Sequence, residues 1–133
     1  MVDTAPLRRV IAETVEQEPG HIDHFSLVLL DNDGITDLNR RLLSRECPTD
    51  VISFEAETDP DGVCRAEAYI SVEQAQIQAQ QQSHTLDYEL AFLAAHAALH
   101  ALGYDDATEK QRARMLDRQR QIVSRTEEHR TRG

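Results

Sequence analysis

The sequence predicts an α+β fold: one domain, a small mixed sheet of about three to four strands with helices packed on it, and a candidate metal site at the end of a central buried helix. Three observations carry this. Short apolar runs bounded by turn formers mark strands, and apolar residues at helical spacing mark helices; their order is helix, strand, helix, strand, strand, then helices. The third is the stretch His96-Ala-Ala-Leu-His100-Ala-Leu-Gly103-Tyr104-Asp105-Asp106, two histidines four apart on an otherwise apolar helix.

Leu7, Val10, Ile11 and Val15 recur at helical spacing, with Thr4 as a possible cap, Pro6 in the first turn and Pro19-Gly20 as the stop. Phe25-Ser-Leu-Val-Leu-Leu30 reads as a buried strand, and Asp31-Asn-Asp-Gly34 as a turn. A short helix is expected over 35–44, with Ile35, Leu38 and Leu42 inward, broken by Pro48. Thr49-Asp-Val-Ile-Ser-Phe54 reads as a second strand, Thr58-Asp-Pro-Asp-Gly62 as a polar loop, and Ala66-Glu-Ala-Tyr-Ile-Ser71 as a third strand. Ser71-Val-Glu-Gln74 has capping-box spacing and opens a surface helix through the glutamine-rich stretch to Gln82. The histidine helix, 88–102, is apolar nearly all round and therefore buried. A last amphipathic helix carries Met115, Leu116, Ile122 and Val123, and the polar tail 124–133 is expected to fray. No repeat or linker divides residues 1–133, a length suited to one domain with a proper core.

The chain carries 24 acidic against 14 basic residues, a net charge of −10, which disfavours nonspecific nucleic-acid binding over the surface as a whole. The charge is uneven. Arg40, Arg41 and Arg45 cluster in one segment, and Arg112, Arg114, Arg118, Arg120, Arg125, Arg130 and Arg132 crowd the C-terminal part, as a basic patch or as a solvated helix face. Neither a signal peptide nor a membrane span is visible, so a cytoplasmic protein is expected. Cys47 and Cys64 are isolated, read as reduced thiols, and have no neighbours for a metal cluster.

Residues i and i+4 lie about 6 Å apart on one helix face, so His96 and His100 can converge on one ion. Gly103 suits the left-handed residue that follows a helix end, after which Asp105 or Asp106 can fold back as a third ligand. Three protein ligands leave a fourth position open for hydrolytic chemistry. Zinc peptidases place a glutamate after the first histidine as general base; here that residue is Ala97, which argues against peptide hydrolysis.

Leu38-Asn39, Pro48-Thr-Asp-Val-Ile-Ser-Phe54, Ile70-Ser71, Glu89-Leu90, His96, His100 and Gly103-Tyr-Asp105 fall in the order and spacing of the YbeY family, which the chain resembles over roughly residues 7–123. The resemblance implies a bacterial metal-dependent endoribonuclease, specific for single strands. It also implies a role in maturation of small-subunit ribosomal RNA and in ribosome quality control, with RNA, the small subunit and assembly factors as partners. It carries the metal ligands onto His96 and His100, and the third, a histidine in the family, onto Asp106. Carboxylate is an acceptable zinc ligand; its added negative charge makes the ion a weaker Lewis acid and admits harder ions such as manganese, with nickel a further candidate beside zinc.

The family's phosphate-binding arginine falls on Leu43, so Arg41 or Arg45 is expected to steady the phosphate, with Asp105 orienting the turn or a ligand. Thr49, Asp50 and Ser53 are implied to line the RNA cleft. The family's Gly-Asp pair on the third strand is Ala66-Glu67 here, and its strand before the first helix looks absent. These departures keep a second expectation open: a catalytically weak or inactive ribosome-assembly factor that binds RNA on the same fold.

Overall fold

The structure, a computed structural model, describes residues 2–45 and 47–132, and side chains as far as residue 126. The elements in order are α1 (Ala5–Gln17), β1 (His24–Leu30), α2 (Asn32–Leu43), β2 (Val51–Ser53), β3 (Glu57–Thr58), β4 (Cys64–Ser71), α3 (Val72–Gln81), α4 (Leu86–Ala101) and α5 (Glu109–Arg132). This is the α+β domain that the sequence predicts, with a mixed sheet of four strands.

β4 is the centre of the sheet. It pairs with β1 in parallel, Leu27 opposite Ala68, and with β2 antiparallel, Ile52 opposite Tyr69. The short β3 pairs with its first residues, Glu57 opposite Arg65, inside what reads in sequence as the edge of a polar loop. Along β4 the side chains alternate, and Ala66, Ala68 and Ile70 point into the core. Alanines there let a helix approach closely, and α4 takes that place, packed against α1, α3, α5, β2 and β4. Ala94, Ala95, Ala97, Ala98 and Leu99 of α4 are fully buried. The exception on α4 is the stripe Tyr88, Phe92, His96, His100, one residue per turn and partly open to solvent.

Helix ends follow the local chemistry. Ser71 Oγ accepts from the Gln74 amide, so β4 passes into α3 at the predicted cap. Thr85 caps α4 through the Tyr88 amide. Thr108 and Gln111 cap α5 reciprocally: each side-chain oxygen accepts the other's backbone N–H, at 3.1 and 3.0 Å.

Three expectations need correction. Thr4 makes no side-chain cap; Asp3 accepts from the Ala5 amide instead. Asp31-Asn-Asp-Gly34 is not a turn but the start of α2, because the Asp31 carboxylate accepts from the Gly34 amide as an N-cap. Leu42 is 49% exposed, because the inward stripe of α2 runs through Ile35 and Asn39, whose amide donates to the Cys47 carbonyl. α5 runs on to Arg132, and Thr126 within it is buried and donates to Glu13 of α1 at 2.8 Å. Among the described residues, no helix is long and apolar enough to cross a membrane.

Candidate metal centre

α4 ends in a Schellman motif. Gly103 adopts φ +104°, the Tyr104 amide donates to the Leu99 carbonyl, and the Gly103 amide donates to that of His100. The left-handed glycine turns the chain back over the last helical turn. The turn is then clamped at its far side: Tyr104 donates its hydroxyl to Glu18 at 3.1 Å, and the Arg118 guanidinium pairs with the same buried carboxylate. Burial and then the Glu18 charge push the Tyr104 hydroxyl above its ordinary pKa. One acid at the end of α1 therefore fixes both the turn that carries Asp106 and the stretch of α5 that carries Gln119.

Gln119 is the decisive neighbour of His96. Its side-chain NH2 donates to the Phe92 carbonyl at 3.3 Å, which fixes the amide orientation and aims Oε1 at His96 Nδ1, also 3.3 Å away. An amide oxygen only accepts, so Nδ1 carries the proton and a neutral ring holds its lone pair on Nε2. That Nε2 faces Asp106 Oδ2 at 4.0 Å. The His100 ring is held in place by its Nδ1, 2.8 Å from Ser53 Oγ at the end of β2, which leaves Nε2 for another partner. The two rings stand 6.3 Å apart, centroid to centroid.

Asp106 is the one of the two acids brought to His96. The Asp105 carboxylate turns back to accept the Asp106 amide at 2.8 Å and lies in a separate depression with Gly103 and Arg114. A cleft of about 440 Å³ between α4, the start of α5 and the β2 loop collects Asp50, Phe92, His96, Asp106, Arg112 and Gln119. Asp50 is tied down by the Val51 amide at 2.8 Å and Gln78 at 3.3 Å, with Thr49 one contact behind it at 3.4 Å. Behind the cleft, burial pushes the Glu89 carboxyl above its ordinary range; His84 opposes the shift and the Asp50 charge adds to it.

The predicted phosphate-binding arginines are placed elsewhere. Arg41 pairs with Asp37 at 2.8 Å on exposed α2, and neither it nor exposed Arg45 lines the cleft. Leu43 is 44% exposed. Ala97 is fully buried in the core, so no base stands beside His96 along the helix.

The donor set fits a divalent transition ion. His96, with Nδ1 protonated, presents its Nε2 lone pair to an anionic carboxylate, and lone pair against anion is unfavourable until a cation or proton lies between; the second imidazole, His100, has its Nε2 free of the Ser53 contact. Ligands of one tetrahedral zinc at about 2.1 Å stand roughly 3.4 Å apart. The 4.0 Å separation therefore needs only a small rotation of Asp106, whose side chain is half exposed. Among the described residues no three histidine, cysteine or acidic side chains are already gathered as a cage.

The family model described as Endoribonuclease YbeY matches residues 3–127. The chain belongs to the YbeY family. Endoribonuclease YbeY of Acholeplasma laidlawii is 39% identical over 115 residues, 86% of this chain and 83% of that protein. The protein of the same name from Carboxydothermus hydrogenoformans is 35% identical over 121 residues, 89% of this chain and 85% of its own length. The solution structure of TM1509 from Thermotoga maritima superposes with a TM-score of 0.70 at 28% identity, covering 97% of this chain and 85% of that one.

Gln119 is a residue of the candidate site that sequence reasoning missed. It lies 23 positions beyond His96, and in sequence it is one polar residue in a helix rich in glutamine and arginine. Its signal is its register with Met115, Ile122 and Val123, which puts it on the buried face.

Proposed function

We propose that this chain is a metal-dependent endoribonuclease that cuts single-stranded RNA, acting in the cytoplasm on precursor RNA of the small ribosomal subunit, beside its assembly factors. The observation that carries the chemistry is the pairing of His96 Nε2, its lone pair fixed by Gln119, with the Asp106 carboxylate. Family membership carries the substrate class.

His96, His100 and Asp106 hold the ion, zinc in the first place and manganese or nickel as alternatives. When bound, it supplies Lewis acidity toward a phosphodiester. The protein does the rest by positioning. Gln119 locks His96 in the tautomer that binds metal and Ser53 holds the His100 ring in place through Nδ1; outer partners of this kind are worth about 10–100-fold in affinity or activity. Gly103 lets the turn bring Asp106 back over the helix end. A cleft of about 440 Å³ has room for an unstacked nucleotide, the form in which a single strand presents its bases.

The test is a cleavage assay on a labelled single strand and on the same strand annealed into a duplex, with protein reconstituted with zinc or manganese. The single strand is expected to be cut, the duplex spared, and a chelator to stop the reaction. Tight binding of the single strand without cleavage, in fully loaded protein, would contradict the nuclease reading and favour an assembly factor that acts by binding alone.

A further inference from the structure

The cleft has a cation that nothing so far assigns. Among the described residues lining it, Arg112 is the one lysine or arginine. It sits in the first turn of α5, where the cap made by Thr108 and Gln111 fixes the helix start. Its Nη1 donates to the backbone carbonyl of Asp106 at 3.2 Å, so the guanidinium is tethered to the residue that faces His96. Four other arginines have their charge matched by a carboxylate, Arg40 and Arg41 by Asp37, Arg65 by Asp59, and Arg118 by Glu18. Arg112 has no carboxylate partner among the described residues, although the cleft it lines contains Asp50 and Asp106. One bond to a neutral carbonyl leaves most of its five donors unused.

We infer that Arg112 binds a backbone phosphate of the RNA strand in this cleft, taking the role that Leu43 cannot fill. The inference rests on the endoribonuclease reading and adds the residue that positions its substrate. The chemistry is specific. An anionic strand approaching two carboxylates in a chain of net charge −10 is repelled unless a fixed cation meets it. A planar guanidinium held by one edge presents its other edge for a bidentate phosphate contact. Its tether to the Asp106 carbonyl sets that contact next to the metal ligands, so the bound phosphate is registered against the site of cleavage.

The test reads binding with the metal chelated, so that cleavage and metal loading play no part. Affinity for a short single-stranded RNA is measured across a salt series for wild type, Arg112→Ala, Arg112→Lys and Arg9→Ala, the last a same-charge loss on α1 outside the cleft. Arg112→Ala is expected to bind roughly tenfold more weakly at low salt and to reduce the slope of log affinity against log salt by about 0.7, the share of one phosphate contact on a single strand. Arg112→Lys should recover the slope and only part of the affinity, and Arg9→Ala should follow wild type. An unchanged affinity and slope in Arg112→Ala, with RNA binding by wild type intact, would overturn the inference and leave the nuclease reading standing. No RNA binding by wild type, either chelated or loaded with metal, would overturn both.

Discussion

His100→Ala is expected to lower RNA cleavage by roughly a thousandfold or more while the fold survives. Lewis-acid stabilisation is worth several kcal/mol, and each 1.36 kcal/mol is about tenfold in rate. An ion left with one imidazole and a half-exposed carboxylate loses both its place and its occupancy. The fold should tolerate the change because His100 is only partly buried, at the C-terminal end of α4, and alanine is the best helix former. The backbone bonds of the Schellman motif do not use its side chain. The check is a cleavage rate beside a thermal melt. A variant that melts like wild type and still cuts at its rate would remove His100 from the site.

Leu99→Ala is expected to be the most damaging single truncation in the core, costing about 3–4 kcal/mol and lowering Tm by roughly 10 °C. Leu99 is completely buried, and the helix around it is built from Ala95, Ala97, Ala98 and Ala101. Alanines have no rotamers with which to close a gap, so the space left by three side-chain carbons stays largely open. Leu99 also lies between the two histidines, and its carbonyl receives the Tyr104 amide that fixes the returning turn. Cleavage should therefore fall more steeply with temperature than the melt alone accounts for. Urea unfolding measures the first effect; a loss below about 1 kcal/mol would show that neighbouring helices collapse onto the site.

Local chemistry made much of this legible in the sequence. The i, i+4 histidines on an alanine-rich helix, the glycine after it, and the Ser71 cap all appear as expected, because each depends on a few adjacent residues. The family pattern over Pro48–Phe54 and the histidine helix placed the chain in its family before any coordinates. What stayed hidden depends on packing. Asp31 caps a helix with the same carboxylate-to-amide bond that makes a turn, so its neighbours alone do not separate the two. The rotation of α2 that exposes Leu42 and carries Arg41 away to Asp37 is set by Asn39 reaching the Cys47 carbonyl. Gln119 and Arg112 belong to a helix whose charge run reads as a solvated face. Burial of Met115, Ile122 and Val123 against α4, with the clamp of Glu18 on Arg118 and Tyr104, brings that helix onto the histidines. The competition between Asp105 and Asp106 is likewise decided by the turn, which bends one carboxylate onto its own backbone and leaves the other facing His96.

Elemental analysis of the untagged protein, wild type beside Asp106→Ala, tests the central claim most directly. One zinc or manganese per chain is expected in wild type, with clear loss of that metal in the variant, since a third ligand that replaces an imidazole with a carboxylate is the feature on which the site depends. Wild-type protein that takes up no divalent ion even after reconstitution would contradict it.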